Sequence, residues 1–283
     1  MKSADGASTP SQEDPSTSEA GADARSWVSK TDLTRYIRCP YSYWRLYERL
    51  IEFEDTVTPF AMDLIQAGVE FEDQVTAEAI SVPVQVWWDG VWAGRIGFHP
   101  PTLRSEQLRL YGRPDGLTSV GGVLVPIEIK SHKSVHVTDE LELAFYWLVL
   151  QPYQRRPTRT PRGQLILRKP DGTEETVSLV LPRARLEQAR ELIEKVRLAR
   201  TQGVEPRVCG CPACRWDPDI QRLVEERHHV SLIYGVGWVY SDALAELGIT
   251  TYDELLDADT ATLADGMRNL GYPAVTFDEV TEV

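Results

Sequence analysis

Two carboxylates and a lysine form the most chemically suggestive group in the sequence. Asp115 lies in the segment GRPDGL, Glu128 follows thirteen residues later in IEIK, and Lys130 lies two residues beyond it. Because residues two apart on a β-strand point to the same face, Glu128 and Lys130 are expected to project together while Ile129 faces the core. If two strands pair across the intervening Gly-Gly turn, Asp115 lies close to Glu128.

This group favours metal-assisted chemistry on a phosphate. Two carboxylates on neighbouring strands make a hard oxygen site of the kind that Mg²⁺ or Mn²⁺ uses. A lysine beside such a site can orient water and neutralise the charge that develops on a phosphate. The alternative is an exposed strand on which charged and apolar residues alternate, since a Glu-x-Lys triplet alone is common.

The four cysteines form a second group, divided one and three. Cys39 stands alone near the start of the folded region, and Cys209, Cys211 and Cys214 cluster in VCGCPACRW. Four cysteines in 283 residues are too few for a disulfide scaffold. A set of four thiolates can hold tetrahedral zinc or an iron–sulfur cluster, and buried structural cysteines are the remaining alternative.

Length, charge and hydropathy limit the class of protein. A chain of 283 residues suggests about two domains. The net charge of −13 argues at first against nucleic-acid binding, but residues 1–26 carry −3, residues 226–283 carry −9, and the stretch between them carries only −1. No apolar run approaches the ~20 residues of a membrane helix. Because the first residues lack the apolar core of a secretion signal, a cytoplasmic protein without a membrane partner is expected.

The pattern predicts helices, then a sheet, then more helices. Residues 1–26 are poor in apolar side chains and are expected to be disordered. Thr31 or Asp32 is expected to cap a helix that ends at Cys39, and a second helix follows. Further helices are expected over 60–79, 140–151 and 184–200, strands over 108–117, 123–130, 164–169 and 175–181, and a hairpin with an Asp-Gly turn signal over 82–97. This order indicates an α/β or α+β core plus a small all-α module from about residue 226.

Three segments together resemble a known family. GRPDGL, VPIEIKSHKS and ELELAFYWLVL look like motifs II and III and the following helix of PD-(D/E)XK nucleases of the RecB family. Within that family the chain is most similar to the iron–sulfur exonucleases associated with CRISPR systems, over roughly residues 30–216. The resemblance implies a restriction-endonuclease-like fold, with a mixed central sheet flanked by helices. It also implies that Asp115, Glu128 and the Ile129 carbonyl bind Mg²⁺ or Mn²⁺. Lys130 would then position the attacking water.

Two further site residues rest on the resemblance alone. An upstream helix of the family carries a metal ligand four residues after a glycine, which makes Glu72 the candidate here and Glu70 a weaker one. The helix after the Glu-x-Lys strand often carries glutamine and, four residues later, tyrosine. Here Tyr146 is kept, whereas Glu142 replaces the glutamine. The resemblance therefore assigns Tyr146 to the site and leaves the role of Glu142 open.

The resemblance also implies an occupant for the cysteines. A lone N-terminal cysteine with a distant triplet matches the family's 4Fe–4S cluster, which ties together the two ends of the nuclease domain; zinc is the alternative. The segment TDLTRYIRCPYSYW resembles the family's first cysteine segment. The triplet here, C-x-C-x₂-C, is tighter than the usual one, so the ligand set is better defined than the metal.

Two regions are candidates for contact with DNA. Residues 232–259 resemble a helix-hairpin-helix module, in which Gly235 and Gly237 would let backbone N–H groups hold a phosphate. The acidity of this C-terminal region favours instead a packing role or contact with a protein partner. The second candidate is a basic stretch just after the apolar helix, formed by Arg155, Arg156, Arg159 and Arg162.

The sequence as a whole predicts a metal-dependent DNA nuclease. We expect an acidic tail over 1–26, a nuclease domain with a four-cysteine metal centre over 27–225, and a helix-hairpin-helix domain over 226–283. The substrate would be single-stranded DNA or duplex ends, and the context DNA repair, recombination or CRISPR-type processing. The alternative is a non-catalytic iron–sulfur or zinc module that binds DNA or protein in a nucleic-acid-processing complex.

Overall fold

The computed structural model describes residues 25–48, 59–77, 79, 82–158, 160–203, 205–209, 211–215, 217–233 and 236–272. Most of the expected disordered tail (1–24), Arg159 and Gly235 lie outside the described residues. The chain divides into two compact units. The sheet unit comprises Met1–Lys30 and Phe71–Gly203, and the cysteine unit comprises Thr31–Glu70 and Val204–Val283. No helix among the described residues is long and apolar enough to cross a membrane.

The strands of the sheet unit form two mixed sheets. In chain order they are β1 (Val28–Ser29), β2 (Gly97–Phe98), β3 (Leu103–Ser105), β4 (Leu110–Gly112), β5 (Gly116–Val120), β6 (Val123–Lys130), β7 (Arg162–Arg168) and β8 (Glu174–Val180). The larger sheet has the order β2-β5-β6-β7-β8, and the smaller one has the order β1-β4-β3. Strand β6 is antiparallel to β5 and parallel to β7, so it lies in the middle of the larger sheet.

Helices precede, interrupt and follow these strands. In chain order they are α1 (Lys30–Arg38), α2 (Pro40–Tyr47), α3 (Pro59–Thr76), α4 (Val84–Trp92), α5 (Val137–Val149), α6 (Arg183–Thr201), α7 (Pro212–Arg215), α8 (Pro218–Glu226), α9 (Gly237–Glu246), α10 (Tyr252–Asp257) and α11 (Thr260–Asn269). The described residues therefore confirm a mixed α/β protein, with helices flanking two mixed sheets.

The core of the sheet unit forms around β6 and α5. Strand β6 is buried along most of its length, including Leu124 and Ile127, as its nearly continuous apolar sequence predicts. Helix α5 is buried at Asp139 and from Leu141 to Val149, because its sequence is apolar on almost every face. Helix α6, which contacts α5, instead buries one stripe at helical spacing. The packing of these elements fixes the position of the end of β6, where Glu128 and Lys130 lie.

The hairpin expected over residues 82–97 is wrong, because this segment forms helix α4. Its aromatic residues recur at helical spacing, so that Trp88 stacks on Trp92 four residues later. Pro83 stands at the N-cap, and the Asp89-Gly90 dipeptide that suggested a turn lies inside the helix. The indole N–H of Trp87 donates to the carbonyl of Phe98 at 2.9 Å, which fastens the helix to β2. The i, i+4 pattern thus outweighed the local turn signal.

The expected N-cap of the first helix is also wrong. Helix α1 begins at Lys30, so Thr31 and Asp32 lie in its first turn and do not cap it. The reason is tertiary, because β1 immediately precedes Lys30 and pairs in parallel with β4, with Val28 opposite Leu110. The pairing fixes where the extended chain ends and the helix begins. The end of the helix before Cys39 is confirmed.

The cysteine unit contains two small apolar cores. One packs Cys39 and Cys214 with Tyr41, Ile220 and Val224, and the other is built around α9 and α11. Two short helices, α10 and α11, follow α9. Before α9 the described chain forms a 3₁₀ turn over Val230–Leu232, and Gly237 begins α9 itself. A helix-hairpin-helix assignment stays a prediction.

Candidate active site

The structure brings Asp115 and Glu128 together, as the sequence predicts. Strands β5 and β6 form a hairpin in which Gly116 lies opposite Ile127, so Asp115, just before β5, reaches the end of β6. Its Oδ2 accepts a hydrogen bond from the backbone N–H of Ile129 at 2.7 Å. Burial, reinforced by the negative charge of Glu128, raises the pKa of Asp115 from 3.8 to about 7. A cation bound beside Asp115 would lower this pKa and favour the charged form.

Glu128 and Lys130 project from the same face of β6, which confirms the alternation predicted for this strand. Lys130 Nζ lies 3.0 Å from Glu128 Oε2. The Glu128 side chain is 0% exposed, and its Oε1 is buried with no hydrogen-bond partner among the described residues. Ile129 points the other way, into a small apolar core with Phe71 and Ile166.

Two further charged residues, Glu142 and Lys30, complete the group. Lys130 Nζ lies 2.6 Å from Glu142 Oε2. Lys30 Nζ lies 3.3 Å from Glu128 Oε2 and 3.4 Å from Glu142 Oε2. Two ammonium groups therefore bridge the same two carboxylate oxygens. We call Lys30, Glu128, Lys130 and Glu142 the four-charge array.

The array fixes the charge of its members. Burial alone would raise the pKa of Glu128, but the charges of Lys30 and Lys130 outweigh it and hold that pKa below its usual range. Burial opposes protonation of both lysines, yet Glu128 and Glu142 raise the pKa of each lysine above its ordinary value. Both lysines therefore stay cationic. Burial and the neighbouring Glu128 charge raise the pKa of Glu142.

Tyr146 holds the backbone of the segment that leads to Asp115. Its hydroxyl donates to the backbone carbonyl of Arg113 at 2.9 Å, two residues before Asp115, and its side chain is fully buried. Gly112 makes room for the ring, since a Cβ at this position would lie only 2.9 Å from Tyr146 Cε1. Burial, followed by the charges of Glu128 and Asp115, raises the pKa of Tyr146, so the phenol stays neutral.

Glu72 lies on the part of α3 that belongs to the sheet unit. It is half-buried, and its negative charge contributes to the raised pKa of Asp115. Glu70, the weaker candidate, lies in the cysteine unit and accepts a hydrogen bond from Gln66 at 3.1 Å.

The start of α5 is fixed by a separate polar network. Asp139 is buried; its Oδ2 accepts from the backbone N–H of His136 at 2.7 Å, and its Oδ1 lies 3.2 Å from His132 Nε2. The imidazole rings of His132 and His136 stack with centroids 4.2 Å apart. This network anchors the first turn of the helix that carries Glu142 and Tyr146.

Sequence reasoning missed Lys30 and left Glu142 without a role. Lys30 lies 98 residues before Glu128, and no spacing or motif links it to the carboxylates. The pairing of β1 with β4 brings it to the site. Glu142 did carry a signal, because an acid on an otherwise apolar, buried helix requires a partner.

The four cysteines converge in the cysteine unit. Their sulfur atoms all lie within 4.8 Å of one another. Measured Sγ–Sγ distances are 3.3 Å from Cys39 to Cys214, 3.7 Å from Cys39 to Cys209 and 3.8 Å from Cys209 to Cys214. Cys39 also caps α2 by accepting from the N–H of Ser42. The four residues assigned from sequence therefore form one group able to bind a metal.

A buried ion pair braces this cysteine group. Arg45 on α2 donates to Asp217 at 2.7 Å, and Asp217 caps α8 directly after the cysteine triplet. The Arg45 side chain is almost wholly buried. This pair joins the segment after Cys39 to the segment after Cys214.

The arginines expected to contact DNA are dispersed. The guanidinium of Arg155 lies over the Trp92 ring, 4.0 Å from its centroid. Arg156 packs its stem beside Gly122 in the β5–β6 turn, and Arg162 begins β7 with an exposed side chain. Gly237 is the first residue of α9. No single basic groove follows from these placements among the described residues.

Comparisons with known proteins give no family. No family model matches the chain, and no curated protein matches it. Among solved structures, the chain is similar to "Crystal structure of SSO0001" at 13% identity and a TM-score of 0.39, covering 74% of this chain and 95% of that one. It is also similar to "Crystal Structure of LHK-Exo in complex with dAMP" at 13% identity and a TM-score of 0.35, covering 74% and 97%. At these values the likeness assigns neither a family nor an activity.

Proposed function

We propose that this protein is a divalent-metal-dependent nuclease of the RecB-like PD-(D/E)XK type that hydrolyses phosphodiester bonds in DNA. One observation carries the proposal: Glu128 is fully buried with Oε1 unpartnered, beside Asp115 on one side and Lys130 on the other. A buried carboxylate oxygen without a partner is costly unless a ligand completes it.

The donor set fits Mg²⁺ or Mn²⁺. Glu128 Oε1, Asp115, the carbonyl of Ile129 and Glu72 are hard oxygen ligands, which both ions prefer. The raised pKa of Asp115 points the same way, because a bound cation would favour its charged form. When bound, such an ion lowers the pKa of water and offsets negative charge on a phosphate.

Lys130 has the properties needed to position the attacking water. Glu128 and Glu142 hold its ammonium group in place, and its raised pKa keeps it protonated. A fixed ammonium can donate a hydrogen bond to the oxygen of the attacking water and to a phosphate oxygen. Tyr146, also protonated, supports the Asp115 segment through Arg113.

The proposed substrate is single-stranded DNA or DNA with free ends. Phosphate contacts come from cationic side chains, and Arg155, Arg156, Arg159 and Arg162 are the proposed set. Gly235 and Gly237 remain the proposed backbone contacts of a helix-hairpin-helix domain over 226–283. Because that region is acidic, a protein partner in repair, recombination or CRISPR-type processing is its alternative ligand.

The cysteine group is proposed to hold a structural metal centre, since hydrolysis requires no electron transfer. Two occupants compete. The family resemblance implies 4Fe–4S, whereas thiolates around one zinc ion at roughly 2.3 Å lie about 3.8 Å apart, close to the Sγ–Sγ distances measured here. A cluster would need its four ligands further apart. Iron and zinc analysis of anaerobically purified protein, with its absorption near 400 nm, separates the two.

A nuclease assay tests the proposed activity. End-labelled single-stranded and duplex DNA is incubated with the full chain and Mn²⁺, and the expected result is metal-dependent cleavage that Lys130→Ala abolishes while folding and the cysteine metal are kept. Lys133→Ala is the matched control, because that lysine is exposed three residues later in the same segment. Full activity in Lys130→Ala, or no cleavage by the wild type, contradicts the proposal. Tight DNA binding without cleavage would support the non-catalytic alternative.

A further inference from the structure

The four-charge array contains one lysine more than the proposed chemistry requires. Lys130 already contacts both Glu128 and Glu142, yet Lys30 reaches the same two carboxylate oxygens from a different part of the chain. We propose that Lys30 and Glu142 form a charge-compensating pair that sets the affinity of this site for a divalent metal ion; this inference rests on the proposed nuclease function. In this scheme Lys30 is a positioning residue and does not touch the substrate.

Burial makes the compensation necessary. The side chains of Glu128 and Glu142 are 0% and 11% exposed, and both contact the same ammonium groups. Two carboxylates so close together in a poorly hydrated site repel each other, and each is costly to bury without a paired cation. Lys30, itself 26% exposed, supplies the second positive charge. With both carboxylates ionised, as expected at pH 8 beside two ammonium groups, the four groups together carry no net charge.

The geometry leaves the metal-binding oxygen free. Both lysines contact Glu128 through Oε2, whereas Oε1 has no partner among the described residues. The array therefore holds the Glu128 carboxylate in a fixed orientation without occupying its second oxygen. Asp115 and Glu72 remain outside the array and supply two negative charges for a divalent ion.

This arrangement predicts effects of opposite sign. Lys30→Met removes a positive charge beside the metal site and should tighten Mn²⁺ binding, by about tenfold, since close charges in a protein interact strongly. Glu142→Gln removes a negative charge and should weaken Mn²⁺ binding by a similar factor. The double variant restores neutrality and should bind within about threefold of the wild type. A lysine and a glutamate that merely hold the fold would both weaken binding when removed.

The test is a Mn²⁺ titration of the full chain followed by electron paramagnetic resonance, which detects free Mn²⁺ without requiring turnover. It is run at pH 8, with wild type, Lys30→Met, Glu142→Gln, the double variant and Lys133→Met as an exposed-lysine control. Thermal unfolding of the metal-free proteins provides a second readout. Lys30→Met should lower the melting temperature, and adding Glu142→Gln should recover most of the loss.

The outcomes separate this inference from the nuclease proposal. Opposite shifts in the single variants and recovery in the double variant support the pair, even if the wild type cleaves no DNA. Shifts in the same direction, or a double variant worse than either single one, overturn the pair while DNA cleavage by the wild type would stand. A wild type that binds no Mn²⁺ overturns both.

Discussion

Replacing Tyr146 by phenylalanine removes one buried hydroxyl and leaves the ring in place. The hydroxyl donates to the carbonyl of Arg113 at 2.9 Å, and the Tyr146 side chain is about 1% exposed. Without this donor the carbonyl of Arg113, a residue whose side chain is exposed, loses a partly buried hydrogen bond. A typical intramolecular hydrogen bond contributes about 0.5–1.5 kcal/mol, so the free energy of unfolding should fall by about that amount. Because Arg113 lies two residues before Asp115, Mn²⁺ binding should weaken as well.

Urea unfolding followed by circular dichroism measures the loss. Tyr153→Phe is the matched control, since it removes the same atom from a half-buried tyrosine whose hydroxyl accepts from the exposed N–H of Arg104 at 3.1 Å. The control should change the free energy of unfolding by no more than about 0.5 kcal/mol. Equal losses in the two variants, or unchanged stability and Mn²⁺ affinity in Tyr146→Phe, would refute the reasoning.

Three other expectations concern packing, metal and protons. Gly163→Ala should destabilise the protein by about 1–3 kcal/mol in urea unfolding, because a Cβ there lies 2.8 Å from buried Leu143. Gly90→Ala, in a helix where only an arginine side chain lies nearby, should instead raise the free energy of unfolding by about 0.5–1 kcal/mol. A loss of stability like that of Gly163→Ala would contradict the packing argument. Cys39→Ala should lower bound metal in elemental analysis and the melting temperature together; unchanged values of both would exclude a metal centre there. Burial and the charge of Arg227 lower the pKa of His229. Its neutral form therefore stabilises the folded protein above the unfolded-state pKa of about 6.5, and this contribution is lost as the pH falls below that value. Melting temperatures at pH 7.5 and 5.5 should show this loss in the wild type and a smaller one in His229→Asn.

Sequence patterns predicted those parts of the site whose residues lie close together in the chain. The Asp115 segment, the Gly-Gly turn and β6 form one hairpin, and period-two alternation placed Glu128 and Lys130 on one face. The apolar run that follows these residues predicted α5, because a helix that is buried on almost all faces needs no amphipathic pattern. Each of these inferences depends on residues less than 40 positions apart in the chain.

The remaining features depend on pairings that no window of sequence contains. Lys30 enters the site because β1 pairs with β4, and the same pairing moved the start of α1 away from the expected cap. The Asp89-Gly90 dipeptide failed as a turn signal for a related reason. Packing of the Trp87 indole on β2 stabilises α4, and a local turn propensity does not register that contact.

The two lysines of the four-charge array are expected to reach the carboxylates at different stages of folding. Lys130 and Glu142 are in contact across 12 residues, whereas Lys30 and Glu128 are joined across 98. Closing the longer loop costs about 2 kcal/mol more chain entropy, so Lys130 and the two carboxylates are expected to come together first and Lys30 to reach them later. A refolding chain thus passes through a stage in which Lys130 alone neutralises two acids. At that stage a divalent ion in solution would compete for the carboxylates before Lys30 can reach them.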